Sequence, residues 1–327
     1  MRTLSWVAIA LVTATACTDE LPGESEGSQS IVVNNRLSSN RLSSNRLSSN
    51  RLSSNRLSSN RLSSNHLQAD LTAIGDLLQT PEGIDLLGYM VSCALPEGQI
   101  LIAPNPAHAT NPAEPENLEF FGEVGLAPRW IDRRLDKVGK RWVSACLFSR
   151  VNAYNVTVPV SMRGPHQGLI TTPAETAAWT LQEGAFYGDY FRPLNEPIIW
   201  IACRGKDQAA TETGGLNERD CAEPDPAHPG LTVCGFTYAG DCGDYAPPKT
   251  KHACGHFSSK GFWVSCKDTS AFPHAAADYF SDDADDGDHG HGDDDDDDDD
   301  DDDHGGGNHS SCGKKVFHQV ITTFVKP

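Results

Sequence analysis

The chain has 327 residues and a formal net charge of −19, and sixteen of its acidic residues are aspartates between Asp282 and Asp303. Outside that run the charge is close to balanced, so there is no basic face to neutralise phosphate, which excludes a nucleic-acid partner. Residues 18–67 and 282–311 offer almost nothing to a core, leaving roughly 230 residues, enough for one sizeable domain.

At the N-terminus, Arg2 precedes an apolar stretch from Trp6 to Val12, and Ala14-Thr15-Ala16 leads into Cys17. This is the layout of a secretory signal over residues 1–16, too short for a permanent membrane span. A cysteine directly after small residues suits a lipoprotein signal, so Cys17 is the expected lipidation site, with Ala14 standing where Leu is commoner. Plain cleavage after Ala16 is the alternative. Two or more acyl chains would hold the protein stably, at about 0.8 kcal/mol per buried methylene. No second apolar run of membrane length follows, so the expected membrane contact is the lipid, at the outer membrane or cell surface.

A linker over 17–34 leads to a repeat over 35–67: Asn-Arg-Leu-Ser-Ser stands six times from Asn35 to Ser64, and Asn65-His66-Leu67 begins a degraded seventh. Stacked as a pentapeptide solenoid, the leucines would point inward. Six pentads make only about one and a half coils, too few to bury a core by stacking. One Leu in five among Ser, Asn and Arg suits a solvated chain, so the array reads as a flexible tether.

Beyond it, Asp70–Leu78 and Gly83–Leu95 read as helices, the second with Ile84, Leu87, Val91 and Leu95 at helical spacing. Gln99–Ala103 and Leu118–Val124 read as strands, Asp132–Asn152 as a helix, and Val156–Met162 and Ile198–Cys203 as strands. After Cys203 the chain is rich in loops, with short apolar pieces at 233–236 and 262–264, until Val316–Val325 resumes a strand pattern. The expected fold class is α+β: a disulfide-stapled domain over 68–281 plus 312–327, interrupted by a disordered Asp/His-rich loop over 282–311. A strand as apolar as Val316–Val325 is expected to pair within the sheet.

Nine cysteines remain besides Cys17, seven of them after residue 200, a density that reads as a disulfide framework in an oxidising compartment. The expected bonds are Cys93 with Cys146, Cys254 with Cys266, and Cys312 with Cys203 or Cys221.

The array, Val91-Ser92-Cys93-Ala94-Leu95, Trp142-Val143-Ser144-Ala145-Cys146-Leu147, Gln182–Gly188 and the closing strand together resemble a family of exported bacterial lipoproteins. In that family an Asn-x-Leu pentapeptide array precedes a Cys-containing domain. The resemblance covers most of 35–281 and 312–327. It implies architecture and envelope location but no chemistry, and it marks the aspartate tract as an insertion.

Three clusters are candidates for chemistry. His289, His291 and His304 flank Asp293, Asp294, Asp295 and the aspartates after them; clustered carboxylates suit hard cations, and imidazole suits zinc, nickel or copper. No calcium-loop spacing is present, so calcium is the cofactor this tract would take, weakly and at many sites, if it is more than a solvated acidic loop. His252, Cys254, His256 and Cys266 offer a zinc ligand set that disulfide formation would remove. Glu183 and Asp189 stand among Phe186, Tyr187, Tyr190 and Phe191, the pairing of carboxylates and aromatics that a glycan hydrolase uses. A Gly-containing turn between core strands is the structural reading of that segment. No nucleophile elbow, zinc-protease or phosphate-loop motif occurs. The leading expectation is a binding or structural envelope protein, with divalent cations and surface glycans as partners; an envelope glycan hydrolase is the alternative.

Overall fold

The computed structural model describes residues 56–67, 71–154, 158–208, 219–245, 252–269 and 316–327, together with the backbone of 31–33 and 42–44. Cys17, Cys312 and the Asp/His tract lie outside the described residues, as does the rest of the array.

The architecture is α+β. Five helices, α1 (Arg56–Ser63), α2 (Leu71–Leu77), α3 (Pro81–Ala94), α4 (Lys137–Ser149) and α5 (Pro173–Ala178), are described. Strands β1 (Ile31–Val33), β4 (Asn117–Phe121) and β3 (Ile100–Pro104) make a three-stranded sheet in that order. The main sheet has six strands in the order β2 (Leu42–Ser44), β5 (Pro159–Arg163), β13 (Ile321–Val325), β6 (Leu181–Asp189), β7 (Ile199–Arg204) and β8 (Thr237–Asp241). Two antiparallel ribbons complete it: β9 (Phe257–Ser258) with β10 (Phe262–Trp263), and β11 (Cys266–Lys267) with β12 (Val316–Phe317).

Caps explain where the two central helices begin. Thr80 accepts the Gly83 amide proton and Pro81 occupies the first turn, so α3 starts two residues before the apolar periodicity does. Asp136 does the same for Gly139 at 2.6 Å, which starts α4 at Lys137 rather than at residue 132. Cys93 on α3 and Cys146 on α4 are fully buried and bonded, with Cα atoms 6.0 Å apart. Closing a loop of 53 residues, this bond restricts the unfolded chain by an amount worth about 4 kcal/mol in the chain-entropy account.

The main sheet separates two cores. α4 packs on β6 and β13, and Phe186, Ala202 and Ile321 join the large core with the helices. Ala185, Tyr187, Ile201 and Cys203 belong to a second cluster with Trp263, Phe317 and three further cysteines, Cys242, Cys254 and Cys266. The closing segment is two strands rather than one, broken at residues 318–320: β12 pairs with β11, and β13 lies between β5 and β6, antiparallel to both.

The array departs from a tether running to residue 67. In α1, Ser59, Leu62 and Ser63 are buried, as is Leu67 beyond it. Tyr190 Oη donates to Ser59 Oγ at 3.2 Å, Asn60 Nδ2 to the Arg192 carbonyl at 2.9 Å, and the Leu135 amide to the Ser63 carbonyl at 3.0 Å. The last two pentads therefore belong to the folded domain, and two earlier pieces join it: β1, within the expected linker over 17–34, pairs with β4, and β2, within the array, pairs with β5.

Candidate functional site

Glu183 and Asp189 lie on β6, a nine-residue strand inside the sheet and not the turn expected there. At ~3.3 Å per residue the strand holds them on the order of 20 Å apart. The carboxylates of a glycosidase pair stand about 5–9.5 Å apart, so these two cannot flank one glycosidic bond.

Each carboxylate has a structural occupation. The register of β6 against β13 passes from Gly184 opposite Thr323 to Gln182 opposite Phe324, which leaves Glu183 as the extra residue of a bulge. An unbroken strand would put Glu183 on the face of Ala185 and Tyr187. The bulge turns it towards the other core, where the Arg219 guanidinium lies 5.5 Å from the centre of the Phe186 ring. Arg219 Nε is 3.2 Å from Glu183 Oε1, and the Thr323 hydroxyl donates to Glu183 Oε2 at 2.8 Å. Burial pulls the Arg219 pKa down while the Glu183 charge raises it. Asp189 accepts the Phe191 amide proton at 3.1 Å, and burial pushes its carboxyl above the usual range against the pull of Arg141, Lys140 and Arg192. The preceding Gly188 has φ +143°, and a Cβ there would meet the Ile199 carbonyl oxygen at 2.0 Å, so only glycine fits.

A second buried charge is equally occupied. Arg163 Nε donates to Ser161 Oγ and Nη2 to the Trp179 carbonyl, with its guanidinium 3.7 Å over the Phe324 ring; Ser161 Oγ donates in turn to Glu175 Oε1.

All eight described cysteines are bonded: Cys93–Cys146, Cys203–Cys242, Cys221–Cys234 and Cys254–Cys266. Two pairs match the expectation from sequence. Cys312 does not pair with Cys203 or Cys221 as expected, because these are bonded to Cys242 and Cys234. Cys254 and Cys266 hold each other and offer no thiolate to zinc, and His256 is exposed while His252 is buried, so that ligand set is not assembled.

What the sequence did not reveal is a cleft of about 270 Å³ at the start of α4, between Trp130, Trp142, His166 and the exposed Arg129 and Arg134. Trp142 and His166 meet edge-on, with ring centres 5.1 Å apart. Burial lowers the His166 pKa, and its Nδ1 accepts the Gly168 amide proton at 3.0 Å, which leaves Nε2–H as the donor of the neutral ring. Two indoles, a neutral imidazole and two guanidinium groups on the rim suit a ligand with an apolar face and oxygen acceptors. Most of its lining falls between Leu126 and Trp142, and His166 joins it from a separate segment, a meeting that local pattern does not announce. No family model, no curated protein and no solved structure matches this chain.

Proposed function

We propose that this chain is an exported cell-envelope lipoprotein of binding or structural role, acylated at Cys17, with weak divalent-cation association through its Asp/His tract. The observation that carries the non-hydrolytic reading is the placement of Glu183, ion-paired to Arg219 in the core and about six strand residues from Asp189. Four disulfides are compatible with an exported protein, and no helix among the described residues is long and apolar enough to cross a membrane. The resemblance of the array and its following domain to exported lipoproteins supports the same address. The cleft by Trp142 and His166 supports binding, with surface glycans as the ligand class its aromatic and guanidinium groups suit.

A glycan array probed with the full chain, with and without calcium, tests this reading. Binding without cleavage is the expected result. Cleavage that is lost in a folded Glu183→Gln, Asp189→Asn variant would overturn it in favour of the hydrolase. The anchor is tested separately: labelled fatty acid should enter the wild type and not Cys17→Ser, and equal labelling of both would end the lipoprotein assignment.

A further inference from the structure

Two of the four disulfides are not independent staples. Cys203 ends the apolar run of β7, and Cys242 follows β8, the parallel neighbour of β7. Cys254 and Cys266 face each other across an isolated antiparallel bridge. The Cys254 amide donates to the Cys242 carbonyl at 3.0 Å, which joins the two pairs along the backbone. All four side chains are fully buried in the second core. Cys203 Sγ lies 3.5 Å from Cys254 Sγ, and the sulfurs of Cys203, Cys254 and Cys266 all lie within 4.8 Å of one another.

A sulfur at 3.5 Å from a disulfide sulfur is already near the separation from which a nucleophile attacks. Exchange proceeds by thiolate attack on a disulfide sulfur, and here attacker and target are held by separate segments, Cys203 on β7 and Cys254 in the isolated bridge. The other two disulfides, Cys93–Cys146 and Cys221–Cys234, belong to the large core and are not part of this cluster.

We infer that Cys203, Cys242, Cys254 and Cys266 form one thiol–disulfide exchange centre, whose substrate is a dithiol and whose two-electron-reduced form carries a Cys203–Cys254 bond. On a local opening that admits the dithiol to this core, one of its thiolates attacks Cys266 Sγ, forming a mixed disulfide and releasing Cys254 as thiolate. The second thiolate of the dithiol attacks its own sulfur in that mixed disulfide, so the reductant leaves oxidised and Cys266 is released as thiolate. The Cys254 thiolate then attacks Cys203 Sγ; the Cys203–Cys254 bond forms, the Cys203–Cys242 bond breaks, and Cys242 departs with the electron pair. The thiolates of Cys242 and Cys266 take up the two protons given by the dithiol. One disulfide has been consumed and the remaining one has moved.

The test uses the full chain with any pre-existing free thiol first blocked by iodoacetamide. Dithiothreitol is added in limiting amount, the reaction is quenched with acid, new thiols are labelled with N-ethylmaleimide, and linked peptides are mapped by mass spectrometry. A Cys203–Cys254 peptide is expected, with label on Cys242 and Cys266. Label confined to a native pair, with the neighbouring native disulfide intact, would overturn the inference. A Cys242→Ser, Cys266→Ser variant gives an independent reading: folded and exposed to oxidised glutathione, it should close a Cys203–Cys254 bond, and two persistent thiols in the folded variant would count against the centre. Should that variant fail to fold, the mapping of the unmodified protein decides alone.

Discussion

Glu183 and Arg219 stand 3.2 Å apart with 1% of each side chain exposed, joined through a bulge that turns the carboxylate away from the face its neighbours serve. Removing one partner leaves the other charged in a dry environment. Glu183→Leu or Arg219→Leu alone should therefore cost about 3–5 kcal/mol in denaturant unfolding. The double substitution should recover most of that loss, because it removes both desolvated charges together. Equal losses in the singles and the double would show that the two groups do not act as a pair.

Asp189 gives a pH signature of defined sign. Burial raises its folded pKa above the ordinary value of 3.8. A carboxyl shifted upward contributes stability that is whole below the unfolded value and is lost as pH rises through the folded one. Asp189→Asn cannot ionise and retains an oxygen for the Phe191 amide. It should therefore be more stable than the wild type near neutral pH, and the difference should close below about pH 3.8. Thermal melts across that range check it.

His166 behaves in the opposite sense. Its folded pKa is lowered by burial from 6.5, so the unfolded chain takes up the proton first and stability falls as pH drops below that value. Protonation also consumes the Nδ1 lone pair that accepts the Gly168 amide. His166→Asn can accept the same amide as an Asx turn and does not titrate there. Its stability curve should be flatter below about pH 6.5, and Trp142 fluorescence should lose its acid transition.

The closing strand is central to the sheet, and two deletions expose this. A chain ending at residue 281 lacks β12 and β13, which opens the ladder between β5 and β6 and should leave the protein misfolded or aggregated. Deleting 283–310 instead removes like charges from the segment connecting residue 269 to β12, and closure entropy changes only by ~0.6 kcal/mol per doubling of length. That protein should fold with equal or higher stability and retain less calcium. A truncated chain as stable as the full one would contradict the place of β13.

Leu62 tests the folded part of the array. It is fully buried, so Leu62→Ala should cost about 2–5 kcal/mol in the unfolding midpoint, as a core leucine does. A cost near zero would return residues 56–67 to the tether.

Much of the fold was legible in local pattern because its causes are local. The helical period of Ile84, Leu87 and Val91, the apolar run of Ile198–Cys203 and the β-branched content of Val316–Val325 each announce an element through their own side-chain spacing. The Cys93–Cys146 and Cys254–Cys266 bonds were also expected from sequence. The rest depended on distant partners. Leu62 is identical in sequence to five other repeat leucines, and its helix is docked by the bonds of Ser59, Asn60 and Ser63 to Tyr190, Arg192 and Leu135 from elsewhere in the chain. Glu183 looked like an acid beside aromatics until the bulge and Arg219 assigned it to the core. The same holds for the sulfurs. Spacing can propose that Cys254 reaches Cys266, but only the meeting of β7, β8 and the C-terminal ribbons brings Cys203 to within 3.5 Å of Cys254. That separation is set by a relay of backbone hydrogen bonds, from the Cys242 amide to the Arg204 carbonyl and from the Cys254 amide to the Cys242 carbonyl, which no local run of residues encodes.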